Sequence, residues 1–174
     1  FTYTELIDKA YYLNHYYFII LLGILMVFLP LANEGSVDAY RHRTSNNISI
    51  PTWAITVLRL QVGIVWFFAG VAKLNPDWLL HAQPLQMWLA ARHDYPLLGG
   101  VLDIPATSYL MRWAGAAYDL TITFWLLWNP TRQWAFLSVI TFHALTAILF
   151  PTIEMFPSVM LVCSVCFLTV PPPL

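Results

Sequence analysis

Charge is what this sequence has least of. Only 10% of its 174 residues are Asp, Glu, Lys or Arg, against about 25% in a soluble domain. With 59% hydrophobic residues and a mean hydropathy of +0.65, the composition points to an integral membrane protein. The formal net charge of −1 and the lack of a basic tract argue against nucleic acid as a partner. Cysteine is scarce as well: Cys163 and Cys166 form one CxxC. A redox pair of this kind opens a helix, partly exposed, where its thiolate can be stabilised. Here it lies inside the apolar stretch FPSVMLVCSVCFLTV, so both residues are expected to be small apolar core residues. HxxxH, HExxH, paired CxxC, a GxSxG elbow and a glycine-rich phosphate loop are all missing, which leaves no metal-ligand spacing to build on. No segment has the charged start, short apolar core and small-residue cleavage site of a signal peptide.

What is present is a series of long apolar runs. Five can be drawn: about Tyr11 to Leu29, Thr52 to Leu74, Tyr109 to Trp128, Trp134 to Phe150 and Ile153 to Val170. Several approach the ~20 residues needed to cross a bilayer as a helix, and Tyr11, Tyr12, Trp53, Trp78, Trp128 and Trp134 flank them as interfacial aromatics do. The expected fold is an all-α integral membrane bundle of about five transmembrane helices. Between Asn75 and Ser108, apolar and polar residues interleave, which predicts an amphipathic helix lying in the interface. Asn129-Pro130-Thr131-Arg132 is a tight turn, making a hairpin of the third and fourth segments. Arg41, Arg43 and Arg132 then fall on one side, against Arg92 and Lys9 or Lys73 on the other. The positive-inside rule places the arginine-rich side in the cytoplasm and Lys73 toward the exoplasmic face. Residues 1–174 read as a single transmembrane domain. The start at Phe1 and the end at Pro171-Pro172-Pro173 suggest a piece of a longer protein.

Polar residues at membrane depth are the informative exceptions. Lys73 closes the second run, and Arg59, Trp66 and Lys73 are spaced seven apart, so they share one face of a helix. An ionisable group at this depth is a functional-site candidate. Low dielectric disfavours the charged form of an amine, and a neutral amine is a base. Arg112 and Asp119 share a face in the same way. Arg59, Arg112 and Asp119 also read as structural ions that neutralise one another across helices. Asn14 and His15 lie in the first run, and Gln61 is read as interhelical glue. His143, beside Phe142, is open between a hydrogen-bonded core histidine and a site residue, and Glu154 reads as a helix cap.

Local motifs go further. IDKAYYLNHYYF (7–18), SVDAYRHR (36–43), VLRLQVGIVWFFAGVAKLNPDW (57–78), YDLTITFWLL (118–127) and the FHALTAILF…MFPSVML stretch (142–161) resemble the membrane domain of vitamin K-dependent γ-glutamyl carboxylases. The resemblance is collinear over almost the whole chain, and the sequence looks like one of the bacterial chains in a broader group of horizontally transferred transmembrane proteins, not like an animal enzyme. It implies an enzyme in which a reduced naphthoquinone is deprotonated and oxygenated by O2 to its epoxide. That reaction is coupled to addition of CO2 to a protein glutamate. By motif, Lys73 matches the family's catalytic lysine and His15 its essential histidine, with Asn14 beside it. Asn14, Arg59 and His143 are the expected cofactor-binding residues, and no metal is implied. Vertebrate members carry a second lysine where Ala72 stands here. The implied partners are the lipid bilayer, a quinone and a glutamate-containing protein, and the implied location is a bacterial inner membrane. The alternative is a non-catalytic quinone- or lipid-binding membrane module or anchor. What separates the two is the Asn14, His15, Lys73 constellation, which an anchor has no reason to bury.

Overall fold

The structure, a computed structural model, describes residues 2–7, 13–30, 37–42, 50–81, 83–92, 95, 99–150, 153 and 155–168. Among the described residues it is all-α, without a strand. Two compact units are found, one within Phe1–Gln61 and one over Val62–Leu168.

The first unit holds α1 (Thr2–Ile7), α2 (Asn14–Phe28), α3 (Val37–His42) and the opening turns of α4 (Thr52–Ala72). α2 stops where the sequence dictates: Leu29 turns extended ahead of Pro30, because the proline ring disfavours a helical residue before it. Among the described residues of this part, Phe18, Leu29, Ala54 and Arg59 are buried.

The second unit continues α4 and adds α5 (Pro76–Leu79), α6 (Leu85–Ala90), α7 (Gly99–Leu102), α8 (Pro105–Leu127), α9 (Arg132–Leu149) and α10 (Met155–Ser164). A 3-10 turn, Val165–Phe167, ends it. α4 and α8 pack antiparallel and very close. A Cβ on Gly63 would stand 2.6 Å from the Thr123 methyl, and one on Gly70 would stand 2.8 Å from the backbone nitrogen of Leu120. Small residues at such a crossing let backbones approach, and the Thr123 hydroxyl uses the gap to donate to the Gly63 carbonyl at 3.3 Å. The α8–α9 hairpin forms as expected. Thr131 Oγ1 donates to the Trp125 and Trp128 carbonyls, and Arg132 Nε to the Leu126 carbonyl. A cation is thereby set at the negative end of α8. Leu85, Leu89, Leu102 and Leu149 make a small core, with Tyr95, Met111 and Phe150 against it.

Five helices, α2, α4, α8, α9 and α10, occupy the places of the five apolar segments. Only α4, among the described residues, is both long and apolar enough to cross a membrane. α2 has 15 residues and α10 has 10, while α8 and α9 are long enough but carry polar residues such as Arg112, Asp119, Gln133 and His143. Many outward positions of α4, α8 and α9 are nonetheless apolar: Phe68, Leu110, Trp113, Phe124, Leu137 and Leu145 are all exposed. The third segment starts at Pro105, four residues ahead of the expected Tyr109, because proline is well placed in a first helical turn. The amphipathic interfacial helix is corrected to three short helices, α5, α6 and α7. Pro84 and the Gly99-Gly100 pair break the stretch that hydrophobic periodicity would join. Cys163 and Cys166 are each half-buried. Glu154, expected to be a cap, lies outside the described residues.

Candidate active site

Lys73 stands in the turn just beyond α4, and the residues after it fix that turn. Asn75 is the N-cap of α5: its Oδ1 accepts from the Trp78 backbone N–H at 2.9 Å, while its Nδ2 donates back to the Ala72 carbonyl at 2.8 Å. Pro76 follows at the first helical position, where its missing N–H is no loss. Trp78 then reaches across to α8, donating Nε1 to the Arg112 carbonyl at 3.3 Å. The string KLNPDW is therefore a clamp that holds Lys73 between two helices.

The Lys73 ammonium forms an ion pair with Asp119 on α8. The carboxylate is almost wholly buried, at 3% side-chain exposure, while the lysine keeps 23%. Lys73 Nζ also lies 3.5 Å from the Ala69 carbonyl and 5.6 Å from the centroid of the Trp78 ring. The pair thus stands at the edge of a low-dielectric region. Arg112, which shares a helix face with Asp119, does not serve it: its guanidinium carbon sits 3.5 Å over the Tyr109 ring, fully buried. Of the mid-segment ions expected to neutralise one another, Asp119 pairs with Lys73.

Both members of the pair line a cavity of about 690 Å³ in the second unit. Its remaining walls are largely aromatic and aliphatic, from Trp66, Trp78, Trp88, Tyr118, Trp134 and Phe142 to Leu149 and Met160. Four rings form one cluster there. Tyr118 and Phe142 are stacked at 4.4 Å, Trp66 meets Tyr118 edge-on at 5.6 Å, and His143 lies 5.2 Å from Trp66. His143 is buried, and neither of its ring nitrogens has a hydrogen-bond partner; the same is true of Trp66 Nε1. A large apolar cavity with a few convergent polar groups is the usual form of a small-molecule site.

Of the residues marked by sequence, Lys73 and His143 come together on this cavity. Asn14, His15 and Arg59 belong to the first unit. Asn14 opens α2, though its side chain lies outside the described residues. His15 is half-buried, with its ring against Tyr16 at 4.5 Å, and Arg59 is buried in α4. Sequence reasoning left Trp66 as a bystander and took Asp119 for a structural ion. The signals were there: Trp66 is one heptad before Lys73, and Asp119 opens the YDLTITFWLL motif with Tyr118.

No solved structure matches this chain. A family model, the HTTM domain, matches residues 1–171. The chain belongs to the HTTM domain family, the transmembrane domain of the vitamin K-dependent γ-carboxylase group.

Proposed function

We propose that the chain is the membrane core of a γ-glutamyl carboxylase in which Lys73 is the base acting on a reduced naphthoquinone. The observation that carries this reading is the Lys73–Asp119 pair on the wall of a mostly apolar cavity. A hydroquinone hydroxyl titrates like a phenol, within reach of an amine base. Lys73 takes that proton as a neutral amine, and Asp119 holds the lysine on the cavity wall.

The residues present suit such a ligand. A prenylated quinone needs apolar walls and a few hydrogen-bonding groups, and His143 offers a buried, unpartnered imidazole among the aromatic rings. When bound, the reduced quinone supplies the oxygen-dependent chemistry that removes the γ-proton of a glutamate and lets CO2 add. The protein's part is to bind and orient the ring, take the hydroxyl proton at Lys73 Nζ, and exclude water that would quench a strong base. For Asn14 and His15 the support is the resemblance of the LNH motif, and for Arg59 it is burial on the lysine's helix. The arginines at 41, 43 and 132 support an orientation that turns Lys73 toward the exoplasmic side of a bacterial inner membrane. Epoxide formation from reduced vitamin K by the full-length enzyme tests the reading, with loss in Lys73→Ala expected. A wild type inactive with several quinones would favour a binding module or anchor.

A further inference from the structure

Three side chains on the cavity wall carry buried polar atoms without a partner: Trp66, His143 and, beside them, Tyr118. Trp66 is 3% exposed and its indole Nε1 meets no acceptor; His143 is 4% exposed and neither ring nitrogen is engaged. Their ring centroids are 5.2 Å apart, so the two polar edges belong to one patch of wall. Nearby hydroxyls do not serve them. Ser138, Thr141 and Thr146 donate back into their own helix, to the carbonyls of Ala135, Leu137 and Phe142. Around this patch the rings of Tyr118 and Phe142 are stacked, and the Tyr118 hydroxyl is likewise buried without a partner. Buried N–H groups left without a partner are rare in folded proteins, because their desolvation is uncompensated. Two on one cavity wall point to a ligand.

We infer that Trp66 and His143 form a second polar subsite of this cavity, distinct from the Lys73–Asp119 pair, which takes an oxygen carried on a planar aromatic ring. The inference rests on the reading of the cavity as a quinone site and adds where the ring's other oxygen is held. Indole is a donor only, so the ligand atom must be an acceptor. A neutral imidazole carries one donor and one acceptor nitrogen, so His143 meets a carbonyl or a hydroxyl by choice of tautomer. The subsite therefore serves a ring both when it is oxidised and when it is reduced. A ring of the same shape without oxygens leaves these groups unpaired and is disfavoured.

Matched probes test this without any turnover: 1,4-naphthoquinone and naphthalene, titrated calorimetrically into the purified full chain in detergent, against empty micelles. Wild type is expected to prefer the quinone, and Trp66→Phe and His143→Leu each to cut that preference by about three- to tenfold, the worth of one hydrogen bond. Naphthalene affinity should stay as in wild type, which also shows that the variants are folded. His143→Gln, which keeps a donor and an acceptor, should restore part of the preference. If His143→Leu does not fold, the Trp66→Phe ratio decides. An unchanged ratio in Trp66→Phe overturns the subsite and leaves the quinone reading standing. A wild type that binds both probes equally, or neither, overturns the two together.

Discussion

Lys73, one residue past the end of α4, is ion-paired with Asp119, which sits in the middle of α8. A carboxylate buried to this degree is stable because the ammonium is there. Asp119→Asn removes the counter-charge and leaves the lysine at a half-dry edge. The expected cost is about 3 kcal/mol, the low end for a broken buried pair, since Lys73 keeps some contact with its surroundings. The double variant Lys73→Met, Asp119→Leu should recover most of that loss, because no unpaired ion remains. Thermal unfolding of the three proteins in detergent gives the answer. A double variant that melts no higher than Asp119→Asn would mean that the two residues do not depend on each other.

The closeness of α4 and α8 sets the position of the pair, and it has its own test. Gly70→Ala would push a methyl against the backbone of Leu120, which cannot swing aside as a side chain would. The expected destabilisation is about 2 kcal/mol. Gly115→Ala, on the same helix α8 but facing open space, is expected to be neutral or mildly stabilising through helix propensity alone. Equal melting temperatures for the two variants would mean that the helices are not in contact at Gly70.

Gly115 also lines the cavity, so a large side chain there should occupy it. Gly115→Phe is expected to lower the affinity for naphthoquinone by at least about tenfold while leaving the melting temperature within a few degrees of wild type. Titration of the probe alongside a melting curve checks both. Unchanged affinity would place the ligand elsewhere.

Much of this was legible in the sequence, for reasons that differ by residue. The helices follow from apolar runs bounded by Pro30 and by the Asn129–Arg132 turn, where backbone chemistry is local. Lys73 stood out because a lysine at the end of such a run is costly without a purpose. The partner of Asp119 was not legible. Arg59, Arg112 and Lys73 were all candidates by charge, and the choice depends on a helix crossing set by Gly63 and Gly70, which are ordinary glycines in one dimension. Trp66 escaped notice because an aromatic residue in an apolar helix is unremarkable until its N–H is found buried and unpartnered. The stretch from Asn75 to Ser108 misled, since its periodicity suggested one helix while its prolines and glycines divide it into three.

His15 carries a prediction that rests on its motif. His15→Ala should lower the rate of epoxide formation by about 10²- to 10⁴-fold, the range for loss of a positioned acid–base or hydrogen-bonding group. The fold should be kept, since the side chain is only half-buried. A variant with wild-type rate would remove His15 from the chemistry.

The most direct measurement is epoxide formation from reduced vitamin K by the full-length enzyme, comparing wild type, Lys73→Ala and Lys73→Arg, with and without a small added amine. If Lys73 is the base, Lys73→Ala is inactive yet folded, and the added amine restores part of the rate because truncating the side chain leaves room beside Asp119. Lys73→Arg stays inactive, because a guanidinium keeps its proton even when partly buried. Full activity in Lys73→Ala without the amine would contradict the account.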